Sequence, residues 1–219
     1  MSALKVKICG LRDLANARAA VEAGADFVGF IFAPTRRYVA PDVVATICRE
    51  LPSSVQKVGL FVNERAEVIR TIIQDCRLDY AQLCGDETPE FCRTLGVPAV
   101  KSLKVRGPEV LDEVARYAGV VAWCNLDGFQ PDQHGGTGTR FDWELAGPVA
   151  RRFTVMVAGG LTPENVTEAI AVARPWGVDV SSGVETGGQK DPEKIARFVK
   201  AAKSFPHPLP PLPAAGGGS

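Results

Sequence analysis

Few positions in this chain of 219 residues combine a reactive side chain with a place to use it. Cys9 ends the apolar-alternating stretch KVKIC and is followed at once by Gly10. A thiol there either fills the core as a small hydrophobe or is a reagent held at the mouth of a site. To act as a base it must be a thiolate, so its surroundings would have to lower its pKa. Asp127 ends a second apolar stretch, VVAWCNLD, where an unpaired carboxylate is costly to bury. Taken singly, Cys9 reads as core packing and Asp127 as a loop cap. Together at two strand ends, a carboxylic acid and a thiol facing one cavity make an acid–base pair.

Other candidates surround these two. The stretch APTRRYVAP carries Arg36 and Arg37, which suit a planar carboxylate held by two hydrogen bonds or form a solvated surface pair. The turns AGGLTPEN and SSGVETGG contain Gly159, Gly160 and Gly183 beside Ser181 and Ser182. Glycines there let backbone N–H groups approach an anion, and a short helix from Ser182 would add its dipole. One such turn is only a tight turn; two point to a phosphate. Asp179 shares its alternation phase with Ser181 and faces the same mouth. Lys7 is in phase with Cys9 and lies deeper, where it pairs with a carboxylate. His134, on a loop, and His207, in the tail, carry no signal.

The elements that must position these residues follow from periodicity. Eight short apolar runs, 4–9, 25–32, 56–62, 78–84, 97–103, 120–127, 153–159 and 177–183, alternate with helix-patterned segments. The expected helices are 13–24, 41–51, 66–76, 89–95, 108–117, 143–150, 163–173 and 192–203. Thr162-Pro163 and Asp191-Pro192 each read as an N-cap followed by Pro at the first helical position. Strand–helix alternation makes a parallel sheet covered by helices. Eight units in this length give a single α/β domain, a closed (β/α)8 TIM barrel, spanning residues 1–204. A doubly wound open sheet fits less well, because no G-x-G-x-x-G follows the first strand. In such a barrel, function sits at the C-terminal strand ends, where the residues above fall. Residues 205–219, Pro-rich and then Gly-rich, read as a disordered tail; a polyproline ligand for a partner domain is the other reading.

Composition narrows the function classes. Lys plus Arg and Asp plus Glu are 25 each, so no charge excess argues for nucleic acid or an anionic membrane. No apolar run is long enough to span a bilayer, and a cytoplasmic location is expected. The six cysteines show no C-x-x-C spacing and lack nearby histidines, so no zinc site is expected. They read as reduced thiols.

The motifs KICG (7–10), TRRYV (35–39), QLCGDE (82–87), LDG…GGTGTRFDW (126–143), AGGLTPENV (158–166) and GVDVSSGVE…KD (177–191) occur in this order. Together they resemble the phosphoribosylanthranilate isomerase family over residues 4–203. The resemblance implies an Amadori rearrangement of N-(5-phosphoribosyl)anthranilate to 1-(2-carboxyphenylamino)-1-deoxyribulose 5-phosphate, a step of tryptophan biosynthesis. It implies Asp127 as general acid, Cys9 as general base, Arg37 on the anthranilate carboxylate and Asp179 near the amino nitrogen. Phosphate would lie on Gly159, Gly160, Ser181, Ser182 and Gly183. The resemblance implies that no metal or cofactor is needed; the implied partner is a small-molecule phosphosugar, with the chain a monomer or homodimer. One position departs: Cys84 stands where the family usually has histidine, in QLHG.

The alternatives are an aminoaldose isomerase of the histidine-biosynthesis type and a phosphate-ligand-binding barrel without catalysis. The first would favour Asp where Cys9 stands; the second would not need Cys9, Asp127 and Arg37 together.

Overall fold

The computed structural model describes residues 4–128 and 142–206. Eight parallel strands close into a barrel in sequential order: β1 Lys5–Cys9, β2 Phe27–Ile31, β3 Gln56–Phe61, β4 Tyr80–Leu83, β5 Ala99–Val105, β6 Trp123–Gly128, β7 Val155–Val157 and β8 Gly177–Val180. Eight α-helices follow them in turn: α1 Leu14–Glu22, α2 Pro41–Glu50, α3 Ala66–Asp75, α4 Pro89–Thr94, α5 Val110–Ala115, α6 Ala146–Ala150, α7 Val166–Ala173 and α8 Pro192–Ser204. The single (β/α)8 barrel read from the alternation is the architecture observed. The expected tail falls almost wholly outside the described residues; Phe205, at its start, packs against the core.

The helix starts are set by side-chain caps where the sequence offers them. Asp13, Thr88 and Asp191 accept hydrogen bonds from the first-turn amides of α1, α4 and α8, relieving donors that have no partner inside the helix. At Thr162-Pro163 the cap forms, Thr162 Oγ1 accepting from Glu164 N–H at 3.2 Å, but the continuous helix does not start there. There α7 begins at Val166 with Asn165 as its flanking residue. The Asn165 side chain instead accepts from Thr162 N–H and donates to the Gly160 carbonyl, each at 2.8 Å. A side chain that folds back over its own loop spends the preceding turn on loop geometry rather than on helix. The segment 108–117 shortens to α5, and 143–150 divides into a 3₁₀ turn, Trp143–Leu145, and α6.

The barrel interior is layered, as alternation within tilted strands requires. Phe27, Tyr80 and Trp123 open the even strands β2, β4 and β6, and Trp176 immediately precedes β8. Trp123 contacts the other three rings at centroid distances of 5.0, 4.8 and 5.3 Å. These four close the floor. The next level comes from the odd strands: Val58, Val100 and Met156, all apolar and fully buried, and Lys7, also 0% exposed. Two residues above the floor on β2, β4 and β6 come Gly29, Gln82 and Asn125, and three residues after Trp176, on β8, comes Asp179. Polarity therefore rises from floor to mouth, and the sheet delivers its polar side chains to one end.

Candidate active site

A cavity of about 830 Å³, counted with its open mouth, occupies that end. Cys9 at the end of β1, Asp127 on β6, Asp179 on β8, Arg37, Gly159, Gly160, Ser181 and Ser182 all line it. Of the residues read from the sequence, Lys7, Arg36 and Gly183 are off the wall.

Lys7 and Asp179 are register partners on β1 and β8, and Lys7 Nζ meets Asp179 Oδ2 at 2.9 Å. Asn125 Nδ2 donates to the same oxygen at 2.7 Å, and Trp123 Nε1 donates to Asn125 Oδ1 at 2.8 Å. Burial pushes the Asp179 carboxyl up, against the pull of Lys7. Burial also works against the Lys7 ammonium, yet Asp179 and Cys9 outweigh it and the net direction is upward. The two directions disagree about the charge on the pair. The short contact and the second donor on the same oxygen favour the ion pair.

Cys9 is 5% exposed, and burial pushes its thiol up, with Lys7 as the largest opposing influence. Burial thus favours the thiol form of Cys9 and Lys7 the thiolate. Cys84, on the same wall, accepts from Gln82 Nε2 at 3.5 Å, and burial pushes it up to about 12. Gly10, directly after Cys9, has φ of 75°. A Cβ there would lie 2.8 Å from Arg37 Cδ and 3.0 Å from Ser181 Oγ, so Gly10 makes room for those two side chains.

Asp127 is not the unpaired strand-end carboxylate read from the sequence. Lys104, its register partner on β5, reaches Asp127 Oδ2 at 2.6 Å. Asp127 Oδ1 and Asp179 Oδ1 are buried and have no hydrogen-bond partner among the described residues. Two orphaned carboxylate oxygens in groups lining one cavity are acceptors, or proton carriers, available to a ligand.

Arg36 and Arg37 separate. Arg36 is exposed, while Arg37 is buried in the wall. Arg37 Nε and Nη2 donate to Glu185 Oε1 and Oε2 at 2.7 and 3.1 Å. Glu185 and Lys190 belong to a two-strand hairpin, β9 Glu185–Thr186 and β10 Gln189–Lys190, which the sequence reading missed. Its Gly187-Gly188 turn was the available signal. Lys190 Nζ donates to Glu185 Oε1 at 2.9 Å and to the Ser181 carbonyl at 2.7 Å. Burial pushes Glu185 up, but Arg37 and Lys190 outweigh it and hold it at about 2, below its ordinary 4.5. A lowered carboxyl adds stability that is complete above the ordinary value and is lost as pH falls towards the folded value. Wild-type protein should therefore lose stability between about pH 4.5 and pH 2, and Glu185→Gln should lose less over that window. Denaturant midpoints at several pH values check this; equal acid losses would contradict it.

The two Gly-rich turns lie side by side. Gly159 and Gly160 have φ of 78° and 65°, a conformation that side chains resist. The helix expected from Ser182 is one 3₁₀ turn, Ser182–Val184, too short for much of a dipole. Among the described residues, no group of three or more His, Cys, Asp or Glu side chains is arranged to hold a metal ion. Among the described residues, no helix is long and apolar enough to cross a membrane.

Residues 6–201 match the family model of N-(5'-phosphoribosyl)anthranilate (PRA) isomerase. The chain belongs to the PRA isomerase family. The PRA isomerases of Desulforudis audaxviator and Trichlorobacter lovleyi are 49% and 46% identical to it. These alignments cover 90% and 91% of this chain and 97% and 98% of theirs. The PRA isomerase structure from Thermotoga maritima superimposes with a TM-score of 0.82 at 41% identity, covering 91% of this chain and 98% of that one. Another PRA isomerase structure holds reduced 1-(o-carboxyphenylamino)-1-deoxyribulose 5-phosphate. It matches with a TM-score of 0.79 at 39% identity, over 91% of this chain and 98% of that one. The activity is that of the family, an isomerase of tryptophan biosynthesis.

Proposed function

We propose that the cavity performs the Amadori rearrangement of N-(5-phosphoribosyl)anthranilate with Asp127 as general acid and Cys9 as general base. The observation that carries this is the placement of both groups on one cavity wall, on β1 and β6, beside the two Gly-rich turns. Asp127 gives a proton to the furanose ring oxygen, and the ring opens to a Schiff base. Oδ1, whose neighbour Oδ2 is taken by Lys104, is the oxygen placed to carry that proton. The Cys9 thiolate removes the C2′ proton, and an enolamine forms. Tautomerisation to the ketone needs a proton at C1′ and releases the enol proton. Both enzyme groups return to their starting state if the thiol supplies the first and the carboxylate accepts the second.

The remaining site residues bind. Gly159, Gly160, Ser181, Ser182 and Gly183 hold the phosphate through backbone N–H groups and hydroxyls. Arg37, oriented by Glu185, takes the anthranilate carboxylate. Asp179 Oδ1 accepts from the anthranilate amino group. The ligand is a small-molecule phosphosugar, and the assembly is a monomer or homodimer. Six free thiols accord with a reducing, cytoplasmic location.

The test is turnover of freshly generated phosphoribosylanthranilate, followed by loss of its fluorescence with EDTA present. Fast turnover is expected. A folded protein that binds the product without turnover would contradict the reading and favour a binding-only barrel.

A further inference from the structure

A thiol that burial holds protonated makes a poor base, and the mechanism above does not say what turns it into one. Lys7, 0% exposed, is a buried charge that the mechanism leaves unused. Its level of the barrel is otherwise filled by Val58, Val100 and Met156, where a methionine or leucine would fit without desolvating an ammonium. Exchanging a buried ion pair for apolar side chains is often neutral or stabilising. Stability therefore gives no reason for a cation at this depth; position relative to Cys9 does.

That position is built by β2. Gly29 is the register partner of Cys9. A Cβ on Gly29 would lie 3.0 Å from Cys9 Sγ and 3.2 Å from Lys7 Nζ. Sulfur and ammonium thus both border the space that a methyl group on Gly29 would fill. Asp179 and Asn125 hold the other side of the arrangement through Asp179 Oδ2. The charged and titratable groups acting on Cys9 are Lys7 on its own strand, Asp179 on β8, Lys190 on β10 and Cys84 after β4. Lys7 is the largest influence favouring the thiolate, and Lys190 the smaller one. A ligand N–H on Asp179 Oδ1 would spread the Asp179 charge over a further donor and leave more of the Lys7 field to the sulfur.

We propose that Lys7 is a positioning residue for the reaction: a fully buried ammonium, clamped by Asp179 and Asn125, that stabilises the Cys9 thiolate. The proposal rests on Cys9 being the base.

The experiment separates the two ideas by reading the thiol directly. Alkylation of Cys9 by iodoacetamide is followed against pH in a Cys84→Ser background, with the label located by mass spectrometry. Lys7→Met should raise the midpoint by about one pH unit or more, the effect of losing an opposite charge at contact range. It should lower kcat by roughly 100-fold, the scale of a positioned base, with KM changed far less. Lys7→Met strands the Asp179 carboxylate. If that variant does not fold, Lys7→Met/Asp179→Asn is compared with Asp179→Asn alone, and the same rise in midpoint is expected. An unchanged midpoint in the folded comparison would overturn the proposal while leaving Cys9 as base. Should Cys9→Ser keep its turnover, the reading of Cys9 as base fails instead, whatever the midpoint does.

Discussion

Asp127→Asn is expected to lower kcat by about 10²–10⁴-fold, the range supplied by a positioned proton donor, with product affinity nearly unchanged. Asparagine keeps the shape of the side chain, and its carbonyl oxygen can still accept from Lys104. Lys104 is 23% exposed, so the substitution leaves no deeply buried cation without a partner, and folding should survive. What is lost is the proton available on Oδ1. Because that proton is needed only as the ring oxygen departs, the loss should fall on kcat and kcat/KM together. An Asp127→Asn protein that turned over at the wild-type rate would remove Asp127 from the acid role.

The second large effect is steric. A Cβ on Gly183 would lie 1.7 Å from the Leu161 carbonyl oxygen and 2.8 Å from its carbon. Backbone cannot swing aside as a long side chain can, so Gly183→Ala must push apart the turns after β7 and β8. Those turns carry Gly159 and Gly160 on one side and Ser181 and Ser182 on the other. Misplacing a binding group by about 1 Å costs on the order of 100-fold in rate. Gly183→Ala should therefore lower kcat/KM by about that factor, mainly through KM, and lower the thermal midpoint as well. Unchanged kinetics would show that the seam between the two turns does not shape the anion site.

The two effects also show where sequence is informative. Cys9, Asp127, Asp179 and the Gly-rich turns are legible because each ends or follows an apolar run, and closing eight such runs into a barrel sends their ends to one cavity. The partners of those residues are not legible. Lys7 and Asp179 are 172 positions apart and meet only because β1 closes the barrel against β8. Lys104 reaches Asp127 because β5 and β6 share a register, and register is decided by the whole sheet. Glu185 and Lys190 lie in a hairpin of two-residue strands, too short for periodicity to reveal. The Thr162-Pro163 helix start fails for a related reason: Asn165 is held by its own loop, a local competition that cap preferences alone do not resolve. Single positions on strands could thus be assigned, but the charge pairs that tune them depend on three-dimensional closure.

The measurement that tests the account most directly is turnover of phosphoribosylanthranilate by Cys9→Ser beside wild type, with product affinity measured on both. Serine keeps the volume and the place beside Lys7, but its hydroxyl is a far weaker acid than a thiol. The account predicts turnover lowered by at least about 10²-fold, with product affinity largely kept. Near-normal turnover by a folded Cys9→Ser protein would contradict it.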